Sequence, residues 1–377
     1  MNAFEPLFVI ALVDVTVAVA DGGDPRAWLV AGGLVGAGTL NKHSMLFYAA
    51  CLLAALAVTP LGRRALRSRW ALAAGAVAAL AILPHAIWQV RAHFPMLELL
   101  RNGQARKNTP FALSSLWSGQ LLEAGPASLP VLVAAVAASS ARRATRVVVV
   151  MCFLAEALFS ALKAKSYYLA PIDPLLFAVG GAALDAWLAR WPRARFGVPA
   201  LIVALGAVAV PATLPLLSVE TTERWLAALG VEPPRLERMR YRILPQHLAD
   251  QFGWPGIARA VGDVYARLPD GERAHAAIVA SNYGEAAAID FFGVALPPAS
   301  CGHNNYFLWG LHGDGSVLIV VGGAVEDLRP LYERVERAGE TPPNPHGLPS
   351  EDALPIYILR GPKAPPEVVW RRLRSLI

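Results

Sequence analysis

Apolar runs of membrane-spanning length dominate the first 218 residues of this chain. A membrane span needs about 20 mainly apolar residues, and such a run can satisfy its backbone polar groups in lipid as a helix. The runs therefore predict an all-α polytopic membrane bundle. The second and third runs are short and form either a hairpin or one broken span. The eight predicted helices cover residues 4–20, 27–40, 43–59, 70–90, 113–138, 147–162, 167–189 and 197–217.

Charge divides the chain where the apolar runs end. Residues 1–218 hold 18 Lys/Arg and 9 Asp/Glu, whereas residues 219–377 hold 16 Lys/Arg and 19 Asp/Glu. Two regions in different solvents explain this difference: a membrane domain over 1–218 and a water-soluble domain over 219–377. The arginines of the first region lie in short loops rather than in one basic stripe, which argues against nucleic acid as a partner.

The basic loops also predict the orientation of the bundle. The positive-inside rule places arginine-rich loops in the cytoplasm, and the richest are 63–69, 142–146 and 190–195. With eight spans, both ends of the chain then lie outside, so the soluble domain is periplasmic in a bacterial inner membrane. An outside N-terminus further predicts an odd number of additional spans upstream.

The soluble region reads as one small α/β domain. Short apolar runs predict buried strands, and amphipathic stretches between them predict helices. No glycine-rich phosphate-binding loop follows a strand at the required spacing, which disfavours nucleotide binding. The predicted strands are 276–281, 316–321 and 354–359, the predicted helices are 285–292 and 325–338, and a proline-rich loop covers 342–349.

The junction between the sixth and seventh apolar runs carries the most distinctive polar sequence, Lys163–Pro171 (KAKSYYLAP). Lysines at such a junction lie at the membrane surface, where the phosphate of a lipid lies too. The same residue types also have a purely structural use. Lysine anchors helix ends by extending its ammonium group to water, and tyrosines form an interfacial aromatic belt.

Three stretches of the membrane region resemble glycosyltransferase family 39. They are Met1–Phe8, Gly36–Lys42 (GAGTLNK), and Lys165–Pro171 followed by Pro174. The family includes the dolichyl-phosphate-mannose protein mannosyltransferases, the aminoarabinose transferases of lipid A and the RgtA/B/C/D-like bacterial transferases. The resemblance covers just over half of the chain, and the soluble tail is similar to the periplasmic domain of one bacterial branch.

The resemblance implies a partial GT-C type fold, with a helical membrane bundle and an active site at the outer face. It implies transfer of a sugar from a polyprenyl-phosphate donor. That reaction needs a base, positive charge at the leaving phosphate and apolar space for the prenyl chain. In the family an acidic loop that acts as catalytic base precedes the stretch that begins here at Met1. About three helices and this loop are therefore expected upstream.

The lysines and tyrosines of KAKSYYLAP are the predicted substrate-binding residues. Lys165 is the first candidate for a phosphate ligand and Lys163 the second, because an ammonium group is an effective point charge for phosphate. Tyr167 and Tyr168 are predicted to stack on the sugar or to cap the phosphate. The structural alternatives are a lysine that anchors a helix end and an interfacial aromatic belt.

Two acids and a third lysine complete the predicted site. By resemblance, Glu5 matches an acidic residue that helps to build the family's site, and it is solvated if Met1 is a true terminus. Lys42 ends a helix on the outer side and either faces the site or anchors the helix. Asp173 can coordinate a cation or pair with Lys165. Acids within apolar runs suggest function by default, although pairing between helices also explains them.

For several further polar residues, a functional role and a purely structural role both stay open. Asp14 and Glu156 lie within apolar runs and can simply pair across helices. The outer loop 91–112 carries His93, Glu98, Arg101, Arg106 and Lys107, which either grip an anionic head group or form a solvated loop. In the tail, the stretch His303–Tyr306 suits sugar contacts, but a turn with satisfied side chains is the alternative.

The leading functional hypothesis is a membrane glycosyltransferase that moves a sugar from a polyprenyl-phosphate donor to an envelope glycan, lipid or protein. The alternative is a catalytically inactive remnant or accessory protein that binds prenyl lipid or a partner. A transporter ranks last, because the sequence shows no pair of matching broken helices. The sequence identifies no cofactor; a divalent cation near the phosphate is possible, but no ligand set identifies it.

Overall fold

The chain forms two compact units. The first comprises Met1–Phe94 and Pro110–Ala209, and the second comprises Pro95–Thr109 and Val210–Ile377. A short segment between two helices of the first unit therefore belongs to the second. The computed structural model describes residues 3–140, 142–230, 238, 242 and 244–377.

Helices make up the first unit wherever it has regular structure. Tyr48, Met45 and Phe159 are fully buried at its centre. The helix α6 in the following series lies in the segment that belongs to the second unit. In chain order the helices are α1 (Glu5–Ala20), α2 (Trp28–Asn41), α3 (Ser44–Val58), α4 (Pro60–Leu66), α5 (Arg69–Arg91), α6 (Pro95–Asn102), α7 (Leu113–Ala124), α8 (Leu129–Ala137), α9 (Arg143–Ala161), α10 (Asp173–Trp187) and α11 (Pro192–Thr213).

Three helices in the described part of the chain are long and apolar enough to cross a membrane: α5, α9 and α11. A fourth span results if α7 and the segment 126–140 are counted together, although they are bent by 86°. Three or four of the eight predicted spans therefore meet this length in the described part of the chain, and the total number of spans stays a prediction. α1, α2, α3 and α10 contain 14 to 16 residues. A helix of 16 residues is about 24 Å long, which is less than the ~30 Å hydrocarbon core.

The helix breaks have local causes. Lys42, between α2 and α3, has an extended backbone with φ −157°. Gly125, with φ 81°, and Pro126 separate α7 from α8, because a positive φ and a missing amide donor both interrupt a helix. Residues 166–168 and 170–172 form 3-10 turns, so α10 begins six residues after the predicted start of that span.

Small residues bring α2 and α5 into close contact. A Cβ atom on Gly32 would lie 2.4 Å from the carbonyl oxygen of Ala74, and one on Gly36 would lie 2.6 Å from the Cβ of Ala81. Helices in membranes associate through such small-residue faces, because lipid provides no hydrophobic force between them. The neighbouring Gly33 has no heavy atom within 4 Å of its ideal Cβ position.

Gly32→Leu is expected to separate α2 from α5 and to destabilise the first unit by about 1–3 kcal/mol or more, since overpacking displaces backbone. Cys51 and Cys152 are buried in this unit, so their rates of maleimide labelling in the full chain in lipid report its opening. Gly33→Leu is the matched control and should label like the native chain. Equal labelling of the two variants would contradict the tight contact.

A mixed five-stranded sheet organises the second unit. The strand order is β2-β1-β3-β5-β4. β1 pairs in parallel with β2 and β3, whereas β5 pairs antiparallel with β3 and β4. β1 and β3 are buried along their whole length, as expected for central strands covered on both faces. The strands are β1 (Ala276–Ala280), β2 (Ala299–Cys301), β3 (Val317–Val321), β4 (Tyr332–Glu340) and β5 (Pro355–Pro362).

Most of the strands and helices predicted for the tail are present in the structure. The three predicted strands correspond to β1, β3 and β5, and the predicted helix 285–292 corresponds to α16. The predicted helix 325–338 is wrong: α17 has four residues, and β4 follows it. The helices are α12 (Val219–Leu229), α13 (Gln246–Ala249), α14 (Trp254–Ala266), α15 (Asp270–Arg273), α16 (Tyr283–Phe292), α17 (Val325–Leu328) and α18 (Pro366–Arg372).

Candidate functional site

The KAKSYYLAP segment leaves α9 and reaches α10 through two 3-10 turns. Lys163 has a left-handed backbone with φ 55°, is exposed, and forms no salt bridge with any residue in the described ranges. Lys165 is half-buried and precedes the first turn, Ser166–Tyr168. The two lysines therefore differ in environment: one extends into solvent and the other lies partly within the unit.

Glu5 and Lys42 form a buried ion pair at the start of α1. The side chains are 2% and 11% exposed, and Lys42 Nζ donates to Glu5 Oε2 at 2.6 Å. Ser44 Oγ donates to the other carboxylate oxygen, Oε1. Both oxygens of Glu5 thus accept a hydrogen bond, and its charge is compensated inside the unit, as a buried charge requires.

The ammonium group of Lys42 also lies against the tyrosine pair. It is 4.2 Å from the ring centroid of Tyr168 and 5.6 Å from that of Tyr167, within the range of cation–π attraction. The two rings stack with centroids 4.8 Å apart. The hydroxyl of Tyr48, which is fully buried, donates to the carbonyl oxygen of Tyr168. The structure therefore brings Glu5 and Lys42 next to the two predicted tyrosines.

Asp173 lies in a polar cluster that the sequence did not predict as a unit. Gln120 forms hydrogen bonds with the carboxylates of Glu156 and Asp173. Asp173 is 7% exposed, and its Oδ1 and the Oε2 of Glu156 are buried without a hydrogen-bond partner in the described ranges. Nearby, Ser166 Oγ donates to Glu123 Oε1 at 2.5 Å. The two unpartnered oxygens are acceptors for a hydroxyl, an amine or a water.

A histidine pair is a further polar group that sequence reasoning missed. The Nε2 atoms of His43 and His85 are 2.8 Å apart, and Gln89 Nε2 lies 3.3 Å from the same atom of His85. His43 directly follows Lys42 in sequence, so one member of the pair is the neighbour of the ion-paired lysine. No short-range pattern indicates this contact, because 42 residues separate the two histidines.

An apolar cavity of about 320 Å³ lies between α8, α10 and α11. Most of its lining is aliphatic or aromatic and includes Val131, Phe177 and Ile202. The lining also contains an ion pair, in which Arg195 Nη2 donates to Asp185 Oδ2 at 2.8 Å. A wall of this composition suits a hydrocarbon chain rather than a polar ligand.

The polar stretches of the tail are occupied by structural contacts. The side chain of Asn282 caps α16 by accepting from the backbone amides of Gly284 and Glu285. His303 Nε2 is 3.2 Å from the carbonyl oxygen of Ile377, and its ring lies 4.8 Å from that of Tyr283. These contacts match the structural alternative for His303–Tyr306 that the sequence left open. They do not test sugar binding there.

Glu285 and Glu351 share a buried site at the carboxyl end of β1. Their side chains are 2% and 9% exposed. Asn282 Nδ2 donates to both carboxylates, at 2.9 and 3.0 Å. Burial raises the pKa of Glu285, and the neighbouring charge of Glu351 raises it further. The folded second unit therefore holds a proton here more tightly than the unfolded chain does.

The stability of the second unit is expected to fall as pH rises above the ordinary pKa of Glu285, 4.5, towards its raised pKa. The folded state releases its proton later than the unfolded state, so the contribution is complete below 4.5 and lost as pH rises through the raised pKa. The slope is at most about 1.4 kcal/mol per pH unit. Glu351→Gln should flatten it. The measurement is hydrogen exchange of β1 and α16 in the full chain. The difference in protection between variant and native at each pH gives the pH dependence of the stability of this unit.

Glu326→Gln is the control for that experiment, because Glu326 is exposed on α17. It should leave the pH dependence of exchange unchanged. If Glu351→Gln shifted protection by the same amount at every pH, the effect would be a change in packing rather than in proton binding. The interpretation that the charge of Glu351 raises the pKa of Glu285 would then be wrong.

Within the described ranges, no group of three or more His, Cys, Asp or Glu side chains is arranged to hold a metal ion. Asp173 and Glu156 supply two carboxylates, and each has one buried oxygen without a hydrogen-bond partner in the described ranges. The residues at this site therefore favour ligands that donate hydrogen bonds.

Comparison with known proteins finds a match for the N-terminal part of the chain. Residues 1–88 match the family model described as dolichyl-phosphate-mannose-protein mannosyltransferase. This mannosyltransferase segment covers less than a quarter of the chain and is similar to that family. The match confirms the resemblance that the sequence motifs indicated. No curated protein and no solved structure matched the chain.

The mannosyltransferase segment contains the buried ion pair of the site but not its tyrosines. It covers α1 to α4 and most of α5, and so includes Glu5, Lys42 and Ser44 with their buried ion pair. The KAKSYYLAP segment and Asp173 lie beyond it. Together with the three candidate spans, the family relation indicates a membrane glycosyltransferase in general terms.

Proposed function

We propose that the chain transfers a sugar from a polyprenyl-phosphate donor to an envelope glycan, lipid or protein. The observation that carries the proposal is the convergence of the mannosyltransferase segment and the KAKSYYLAP segment on one cluster, in which Lys42 lies over the Tyr167–Tyr168 pair. Lysines, stacked aromatic rings and carboxylates together suit a substrate that has a phosphate, a sugar and hydroxyl groups.

Lys165 is the residue to which we assign the donor phosphate, with Lys163 as its second ligand. Lys42 is less suited to that role, because its ammonium already neutralises Glu5 at 2.6 Å. Lys165 is half-buried, so water screens its charge less than that of a fully exposed lysine. A fixed cation at this point stabilises the negative charge that develops on the leaving phosphate.

The carboxylates of the site take different roles in this proposal. Glu5 holds Lys42 against the tyrosine rings and so positions the cluster. Asp173, with its unpartnered Oδ1, accepts a hydrogen bond from a hydroxyl of the sugar or of the acceptor. Tyr167 packs on a sugar face, for which aromatic rings are well suited.

The apolar cavity between α8, α10 and α11 supplies space for hydrocarbon in this proposal. Polyprenyl chains are apolar and flexible, and the cavity wall is mainly aliphatic and aromatic. The positive-inside rule supports an active site at the outer face, with the arginine-rich loops in the cytoplasm and the C-terminal unit in the periplasm of a bacterial inner membrane.

The test is a transfer assay on membranes in which the whole gene is expressed. Radiolabelled polyprenyl-phosphate sugar is supplied, and released polyprenyl phosphate is measured together with label in the glycan, lipid and protein fractions. We expect release and transfer to rise together with time. Bound donor without release would overturn the enzymatic proposal, and label in none of the three fractions despite release would overturn the acceptor assignment.

A catalytically inactive, lipid-binding accessory protein is the second candidate. The Glu5–Lys42 pair favours it, because both charges are neutralised inside the unit and neither is available to a substrate as the chain stands. This candidate predicts saturable binding of polyprenyl phosphate without turnover. The transfer assay therefore separates the two candidates directly.

A further inference from the structure

The segment 95–109 is fastened to the second unit through the polar face of α6. Arg374 donates from Nη1 and Nη2 to the two carboxylate oxygens of Glu98, at 2.8 and 2.7 Å. One turn further along, Asn102 Nδ2 donates to the carbonyl oxygen of Leu376 at 2.6 Å. Glu98 and Asn102 are four residues apart and so lie on one face of the helix.

The turn that follows α6 is held by backbone contacts in the same unit. Arg238 donates from Nε to the carbonyl oxygen of Asn108 at 2.8 Å and from Nη1 to that of Ala105 at 3.0 Å. Its backbone amide donates to the carbonyl oxygen of Lys107 at 2.8 Å. The segment is thus bound along its length rather than at one end.

The opposite face of α6 is apolar and exposed. Leu97 is 46% exposed and Leu100 is 53% exposed. An amphipathic helix of a soluble domain turns its apolar face towards the core and its polar face to water. Here the arrangement is reversed, because the polar face is bonded to the protein. A cluster of large exposed side chains of this kind marks a surface that contacts a partner or a membrane.

Charge identifies the partner. Arg101 and Arg106 are exposed on the same segment, and neither forms a salt bridge with another residue in the described ranges. The segment begins four residues after α5, a candidate span that ends at Arg91. Four extended residues reach about 14 Å at most, so α6 starts close to the membrane surface. An apolar helix face suits contact with the hydrocarbon of a bilayer, and exposed arginines beside it suit contact with anionic head groups.

We propose that residues 95–109 form an interfacial strap whose partner is an anionic lipid bilayer. Leu97 and Leu100 lie among the upper acyl chains, Arg101 and Arg106 contact lipid phosphates, and Glu98 and Asn102 tie the C-terminal unit to this anchor. The strap thereby holds the C-terminal unit at the membrane surface. This role does not depend on sugar transfer and would also apply to an inactive lipid-binding protein.

The test places an environment-sensitive fluorophore on single cysteines in the full chain. Cys51, Cys152 and Cys301 are buried and are replaced by Ala to remove background labelling. Labels at positions 97 and 100 report the apolar face, and a label at Gln104, which is exposed in the following turn, is the matched control. The chain is reconstituted in phosphatidylcholine vesicles with or without phosphatidylglycerol, and quenching by lipid-attached nitroxide is compared with quenching by iodide in water.

We expect nitroxide to quench labels 97 and 100 several-fold more than label 104, and iodide to show the opposite order. Arg101→Gln with Arg106→Gln should weaken nitroxide quenching in vesicles that contain phosphatidylglycerol and leave it unchanged in pure phosphatidylcholine. Strong iodide quenching at 97 and 100 would overturn the proposal in favour of a solvated helix. Protection from both quenchers would overturn it in favour of a face covered by protein.

Discussion

Lys42→Met is expected to open the first unit about a hundredfold more often, or more. The substitution leaves the Glu5 carboxylate buried at 2% exposure without its counter-charge. Breaking a buried ion pair in this way costs about 3–5 kcal/mol, because an uncompensated charge remains out of water. Maleimide labelling of Cys51 and Cys152, identified by mass spectrometry, should accelerate accordingly, whereas Cys301 in the second unit should label at its native rate.

The double variant Glu5→Gln with Lys42→Met provides the internal comparison. It removes both charges, and replacing a buried pair by neutral groups is often close to neutral. Its labelling rate should therefore return most of the way to the native value. Lys363→Met, at an exposed lysine of the second unit, controls for loss of a lysine in general. If Lys42→Met labelled like the native chain, Glu5 and Lys42 would be solvated rather than a buried pair.

The sequence predicted the residue types of this site better than their partners. The lysines of KAKSYYLAP stand out in the sequence because cations at the junction of two apolar runs lie at the membrane surface, where the phosphate of a lipid lies too. Glu5 and Lys42 were each considered alone, since 37 residues separate them and periodicity carries no information on contacts at that range. Their pairing follows from the packing of α1, α2 and α3 in three dimensions.

Gln120 and Glu123 were missed for a different reason. The length and composition of the apolar run 113–138 predict one span. Gly125 and Pro126 were the available signal, because this dipeptide type marks a break. The chain bends by 86° there, and the helix that carries Gln120 and Glu123 is separated from the apolar helix that follows it.

The one wrong element of the tail shows how pairing overrides a local pattern. Apolar residues at intervals of three and four between Val325 and Ala338 are typical of an amphipathic helix. Pro330 lies in the middle of that stretch and removes an amide donor, which argues for a break. The residues after it form β4, whose partner β5 lies beyond the proline-rich loop, so local sequence could not reveal the pairing.

Lys165→Ala is expected to reduce the rate of sugar transfer by about 10²–10³, the typical effect of removing one group that stabilises developing negative charge. Charge on the phosphate grows as the sugar leaves, so the loss should fall mainly on kcat rather than on KM. The measurement is the initial rate of polyprenyl-phosphate release from the labelled donor. Labelling of Cys51 and Cys152 at the native rate would show that the variant is folded.

One further variant separates charge from geometry at position 165, and a second is a control at another lysine. Lys165→Arg keeps the positive charge but replaces a compact ammonium by a planar fork, so it should recover part of the lost rate. Lys363→Ala, an exposed lysine far along the chain, should transfer sugar at the native rate. If Lys165→Ala itself transferred at that rate, the leaving phosphate would have to be stabilised elsewhere. Lys163 would then be the next lysine to replace, because its ammonium is exposed and forms no salt bridge with any described residue.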